Sequence, residues 1–446
     1  MGATTAFSLV VANMIGTGVF TSLGFQVVDL HTGTALLALW VVGGLVALCG
    51  ALTYAELGAA LPTDGGEYRY LTRAFGPSVG MASGWVSLFV GFAAPTALAA
   101  IAFGRYVAPL AHVPPTVLAL GLIVLVTAVH ALSVRVGSRF HVWATLAKIA
   151  FILVLCIAGL RAVRGGDATF FSSSSALWEI TTPGFAVSLI YVSYAFSGWN
   201  AAAYIAGEVR APERTLPRAL ITGTLLVTVL YVLLNYVFLR TVPLAELSGR
   251  VEVGALAAAH IFGTRGEAWT RAALGIILAS TVSAMTFAGP RVVSAMAADS
   301  DGPMTLLARF TRTGTPRNAI LVQQVIALAL VLTGSFDAVV AYAGFTLSMF
   351  TALTAAALIR LRKTAPALAR PFRVPLYPFT PLVFIVLTAW TLVFMISVRT
   401  KESLAGLVTV AVCVLLHRYS SHGRGGTDAS LAADALGDSL SSVTSA

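Results

Sequence analysis

Apolar runs of about 20 residues, the length that crosses a bilayer as a helix, recur from one end of this sequence to the other, and twelve can be counted. Only helices and closed barrels satisfy their backbones in lipid, and runs of this length read as helices. The 446 residues are 58% hydrophobic and 10% charged, with a mean hydropathy of +0.88. The expectation is an all-α polytopic membrane protein with 12 transmembrane helices and a multi-pass location in the cell membrane. The spans fall at about 3–28, 35–61, 79–108, 115–133, 139–161, from 183, to 239, 268–298, 317–334, 337–361, 381–398 and 403–417. They form one transmembrane domain over 1–418. Residues 419–446, rich in Ser, Gly, Ala and Asp, read as a disordered cytoplasmic tail.

The net charge of +10 does not point to nucleic acid, because the basic residues are dispersed through short loops between spans. They encode orientation instead. With the N-terminus inside, inner loops hold 17 Lys and Arg and outer loops 9, while Lys148 and Arg291 fall within or at the end of spans. That bias places both termini in the cytoplasm. Residues 1–28 carry no basic n-region and no small-residue cleavage site, so a retained first span is expected. Cys49, Cys156 and Cys413 all lie inside spans and read as buried small hydrophobes. The seven histidines have no ligand spacing, and neither a metal nor a cofactor is expected.

Within the first span stands Asn13-Met-Ile-Gly-Thr-Gly-Val-Phe20. Two glycines one residue apart weaken a helix by roughly 2 kcal/mol in propensity, so a break at mid-membrane is expected. A break frees the N–H groups of Gly16, Thr17 and Gly18, and bare backbone groups are tolerated in a bilayer only where they face a cavity or ligand. The plainer reading is a notch for close helix packing. A second interruption favours the site. Tyr194-Ala-Phe-Ser-Gly-Trp-Asn200 lies in the sixth span, with Gly198 placed 181 residues after Thr17. Paired interruptions opening two halves of five spans each are the sequence mark of an inverted-repeat transporter. The two repeats cover about 3–161 and 183–361, followed by helices 11 and 12 at about 381–417.

Between these landmarks, residues 63–76 mix charges and aromatics at helical spacing, as either an interfacial amphipathic helix or a polar loop. Residues 243–266 read as an extracellular lid. No ring of charge or filter sequence suggests a channel, and no catalytic constellation lies at membrane depth, so an enzyme is not expected.

Four stretches together resemble the amino acid, polyamine and organocation transporter superfamily, and within it the bacterial amino acid permeases and L-type amino acid transporters. They are Ile15-Gly-Thr-Gly-Val-Phe20, Tyr54-Ala-Glu-Leu-Gly58 followed by Gly65-Gly-Glu-Tyr68, Gly198-Trp-Asn200 leading to Leu216-Pro-Arg218, and Gly289-Pro-Arg-Val292. Each is weak alone; their order and spacing make the set specific. The resemblance implies a LeuT-type 5+5 inverted repeat with discontinuous helices 1 and 6 and alternating access between them. It places a substrate carboxylate on the amides of Gly16, Thr17 and Gly18, which agrees with the partial positive charge of a helix N-terminus. The substrate ammonium would face carbonyls at Met14, Tyr194 and Ser197. Tyr194 matches an aromatic gate, and Gly198, Trp199 and Asn200 match pocket or packing residues.

Lys148 lies about nine residues into the fifth span, so about 14 Å deep, and an intramembrane charge is a functional candidate by default. The resembling proton-coupled permeases hold a lysine where sodium-coupled relatives hold an ion, so its ammonium would contact helix 1 carbonyls and the hydroxyl of Ser283. Two readings stay open: a titrating lysine coupling proton entry, or a permanently charged strut in a uniporter or exchanger. The expected function is secondary active transport of a neutral amino acid, sodium-independent and either proton-coupled or by exchange. The alternatives are a polyamine or cationic amino acid transporter and a transporter-like amino acid receptor. The expected partners are the small-molecule substrate, the lipid bilayer and, under the first lysine reading, protons. No cysteine lies in an outer loop, so no disulfide-linked subunit is expected.

Overall fold

The computed structural model describes residues 2–131, 138–162, 165–170, 173–298, 302–311 and 314–421, and among them the secondary structure is helical with no strand. The tail from 422 onward, and Arg135, Arg312 and Arg424 of the inner-loop cations, lie outside the described residues. Among the described residues, seven helical stretches are long and apolar enough to cross a membrane: Ala3–Thr21, Gly33–Ala60, Pro77–Ala111, Pro212–Thr241, Val253–Ala298, Phe336–Thr364 and Phe379–Val398. Pro115–Ala131 and Arg317–Thr333 are apolar but shorter. Helices Ser138–Arg161, Pro183–Phe196 and Thr400–Ser421 fall where the fifth, sixth and twelfth spans are expected. The chain is a multi-pass membrane protein.

Local chemistry sets the helix starts. The hydroxyls of Thr32 and Ser335 accept from the N–H groups of Ala35 and Ala338, both at 3.2 Å, satisfying donors that a first turn leaves bare. Proline opens the helices at Pro77, Pro115, Pro183 and Pro212, where its missing N–H costs nothing. In the third span Pro95 cannot donate to the carbonyl of Gly91, and the turn widens into a π-helix over Ser87–Ala93.

The first span breaks where two glycines predict it. Helix Ala3–Met14 ends in a turn centred on Ile15 (φ −74°, ψ 86°), closed by the Gly16 N–H donating to the Met14 carbonyl at 2.8 Å, the pattern of an inverse γ-turn. Short helices Gly18–Thr21 and Leu23–Gln26 resume beyond it. The sixth span ends at Phe196, turns through Ser197 and Gly198, and continues as a 3₁₀ helix over Ala201–Glu208.

Two connecting segments are helical. The stretch after the second span is a helix rather than a polar loop, Glu67–Phe75, with Glu67, Tyr68, Tyr70, Leu71 and Ala74 buried against helices Pro77–Val86 and Phe336–Thr364. Its apolar and aromatic side chains fill the contact with those helices. The 243–266 segment is largely helical and runs into the eighth span through Gly263, whose φ of +73° marks a kink. It meets the first span through the Gly249 N–H, which donates to the Gly24 carbonyl at 2.8 Å.

Candidate functional site

The two breaks, far apart in sequence, pack directly on each other. A Cβ at Gly18 would collide with the Cα of Ala195, and one at Gly198 would lie 2.8 Å from the carbonyl carbon of Asn13. Gly198 also has φ +98°, a conformation that side chains resist. Both glycines are therefore required by close backbone approach, as the packing reading expects. Among the described residues no acceptor bonds the N–H groups of Thr17 and Gly18, whereas that of Gly16 is already used in the turn.

The carbonyls released by the break are mostly claimed. Lys148, 4% exposed, directs its ammonium at the carbonyls of Ile15 (3.0 Å) and Ala12 (3.2 Å) and at the hydroxyl of Thr281 (3.4 Å). Three donors meet three acceptors. The hydroxyl contact is thus with Thr281; Ser283, the residue expected there, bonds the His130 imidazole at 2.8 Å. Residues two apart on a helix point about 200° apart, so one of the pair faces helix 1 and the other turns away. The Met14 carbonyl accepts from Gly16 and also from the hydroxyl of Tyr231 at 2.5 Å, which lies 3.2 Å from the Ala195 carbonyl as well. Tyr231 thereby ties the ends of the two half-helices together. The Tyr194 carbonyl is taken by the Ser197 N–H at 2.9 Å. Of the three carbonyls expected to receive an ammonium, only that of Ser197 has no donor among the described residues.

A cavity of about 470 Å³ begins at the breaks, where Asn13, Ser197, Gly198, Trp199 and Asn200 line it. It extends to Asp64 and Glu208, both exposed at the rim. Met14, Gly16, Thr17, Gly18 and Tyr194 lie outside its lining because the breaks are closed over them: the Thr17 and Tyr194 hydroxyls are 3.3 Å apart. Trp199 both lines the cavity and packs, edge-on to Tyr54 at 4.7 Å and to Phe384 at 6.4 Å.

Besides the rim carboxylates Asp64 and Glu208, the lining carries two charged residues, Glu67 and Arg291. Arg291 stacks on Phe287, 3.5 Å from the ring centroid. Glu67 accepts hydrogen bonds at one oxygen from the Tyr54 hydroxyl (2.6 Å) and the Asn200 amide (3.0 Å). Burial pushes this carboxyl up to about 6, against the opposing pull of those two donors. By contrast Glu56, buried nearby in sequence, is neutralised by Arg362 at 2.5 Å and Arg370 at 3.5 Å.

Beyond the breaks, away from the rim, a second set of contacts joins the half-helices to the rest of the bundle. Phe25 stacks between Tyr191 (5.7 Å) and Phe336 (5.8 Å). Asp337 accepts from the Tyr191 hydroxyl and from Arg399 at 2.8 Å. Tyr231, Thr281 and Glu67 were not legible as site residues from sequence. An in-span tyrosine, one of two hydroxyls in a row and a motif carboxylate were the available signals, and none reveals its partner.

A helical membrane protein with two broken helices packed on each other, a buried lysine tying the first break to the eighth span and a cavity beside them, has the build of a solute carrier. The chain belongs to the amino acid permease family, whose model matches residues 1–416, within the amino acid, polyamine and organocation superfamily. It is 30% identical over 401 residues to the b(0,+)-type amino acid transporter 1 of Mus musculus, covering 87% of this chain and 80% of that one. It is 28% identical to the cystine/glutamate transporter of Homo sapiens (87% and 78% covered). It is 27% identical to the human large neutral amino acids transporter small subunit 2 (88% and 75% covered).

Proposed function

We propose that this chain is a secondary active transporter that moves a neutral amino acid across the cell membrane by alternating access, independently of sodium. The observation that carries the reading is the pair of unbonded N–H groups at Thr17 and Gly18, held against the second break at a helix N-terminus, where a carboxylate is favoured. The ammonium of the same substrate would lie toward the Ser197 carbonyl. Family membership supports amino acid as the substrate class.

The architecture we infer is twelve spans in a 5+5 inverted repeat, with the repeats at about 3–161 and 183–361, helices 11 and 12 following, and both termini cytoplasmic. On this reading the Asp64 and Glu208 rim faces the cytoplasm, and the Tyr191, Asp337 and Arg399 contacts close the outer side. Lys148 acts as the charged strut: three acceptors around three donors favour a fixed ammonium over a titrating one, and its charge occupies the place of sodium.

A cationic substrate has one observation in its favour, the acidic residues along the cavity. Asp64 and Glu208 sit at the rim, however, and only Glu67 is buried inside it. Thermal-shift screening of the purified protein against all amino acids and common polyamines tests the choice. Stabilisation by neutral amino acids is expected; stabilisation by polyamines alone would overturn it.

A further inference from the structure

Glu67 is a carboxylate without a counter-charge. It is 3% exposed, it lines the cavity, and both of its hydrogen bonds fall on Oε1. Among the described residues no group bonds Oε2 and no cation lies within ion-pair distance of it. The groups acting on it are neutral or acidic, and the two nearby cations are engaged elsewhere: on its own helix, Arg69 donates to the Asp64 carbonyl at 3.3 Å and lies over the Tyr68 ring, and Arg291 is turned to Phe287. Helix Gly33–Ala60 presents Tyr54, its own helix Tyr70, and the second break Asn200 and Tyr204. The loop before it brings Asp64, whose Oδ1 accepts from the Gly207 N–H at 2.9 Å. Helix Phe336–Thr364 contributes Ser348 and Thr351 to the lining. Arg291, on the eighth span, donates to the Phe287 carbonyl at 2.5 Å and interacts with Glu208.

While the cavity is open, its contents can solvate Oε2. Alternating access requires that the cavity close, and closure would strand an ionised, unpaired carboxylate in a dry interior, which is strongly unfavourable. A proton removes that penalty. Protonated at Oε2, the acid still accepts from Tyr54 and Asn200 at Oε1, so the local fold need not change. Asn200 belongs to the second break, so the carboxyl's charge is read by the segment that rearranges when the cavity closes.

We propose that Glu67 is a proton-binding site of the transport cycle and that the cavity closes only when it is protonated. The inference rests on the transport reading above, and it predicts how that transport depends on pH. The buried carboxyl, pushed up to about 6, sets where the dependence begins. Exchange of a labelled neutral amino acid, measured in proteoliposomes with equal pH on both faces, is expected to be maximal below about pH 6. Above it, exchange should fall about tenfold per pH unit, as a single required proton dictates. Glu67→Gln imitates the protonated acid, and its exchange is expected to lose this pH dependence between pH 6 and 8. Tyr54→Phe removes a donor that favours the carboxylate, and is expected to move the midpoint upward by about one pH unit.

Three results would overturn the proposal: native exchange flat with pH, Glu67→Gln keeping the native profile, or Tyr54→Phe leaving or lowering the midpoint. A Glu67→Gln protein that loses arginine uptake while neutral uptake keeps its pH profile would also overturn it, and would make Glu67 a subsite for a cationic side chain. If the native protein exchanges no amino acid at any pH, the transport reading itself fails, a result distinct from all of these.

Discussion

Replacing Lys148 by alanine removes the ammonium that bridges the broken first span to the eighth. Its bonds to Ile15 and Ala12 measure 3.0 and 3.2 Å, and both carbonyls lie beside a break where no helical donor replaces the lysine. A buried acceptor left unsatisfied costs about 1–3 kcal/mol, so two together cost about 4 kcal/mol. If that cost falls on the broken conformation that binds substrate, affinity drops about a thousandfold. Equilibrium binding of a labelled amino acid to the purified variant reads this directly, with thermal unfolding as the control for folding. Sodium supplies the second arm. An ion 4 Å from the ammonium meets a repulsion of about 4 kcal/mol at an effective dielectric of about 20, so native uptake is expected to ignore a sodium gradient. A Lys148→Ala protein with affinity within threefold of native, or sodium-driven accumulation by the native protein, would refute the reasoning.

Other outcomes follow from the same geometry. Gly18→Leu is expected to abolish substrate binding, and even Gly18→Ala should impair it, because the new Cβ meets backbone at Ala195; Gly16→Ala should be far milder, its nearest new neighbour being 3.7 Å away at Thr281. Equal binding by all three variants would reduce the stretch to a packing notch. Amides and esters of a bound amino acid are expected to bind poorly, and equal affinity for an amide would count against the carboxylate pose. Glu56→Ala strands Arg362 and the Val374 N–H, which donates to it at 2.7 Å, and should cost about 3–5 kcal/mol, read as a lowered unfolding temperature. Asp337→Asn is expected to loosen the outer contacts and raise labelling of a cysteine placed at Phe25; unchanged labelling would dissociate those contacts from gating.

The parts of the fold that were legible in the sequence are those set by local chemistry. The seven long apolar helices follow from apolar length, and the breaks follow from Gly16 and Gly18 and from Ser197 and Gly198, whose cost to a helix needs no tertiary information. Lys148 was visible for the same reason, since its depth alone demands partners. What stayed hidden depends on which residues meet. Tyr231 is one aromatic among many until the ends of two half-helices converge on its hydroxyl. Thr281 and Ser283 differ only in the face of the helix they occupy. Glu67 gains its character from Tyr54 and Asn200, brought together from separate elements.

The central claim is that an amino acid crosses the membrane through the paired breaks, and counterflow tests it most directly. Proteoliposomes preloaded with an unlabelled neutral amino acid are given a trace of the labelled compound, without sodium. Transient accumulation of label, competed by the amino acid but not by its amide, is the predicted result. Saturable binding with no counterflow would contradict the claim and make the protein an amino acid receptor built on a transporter's fold.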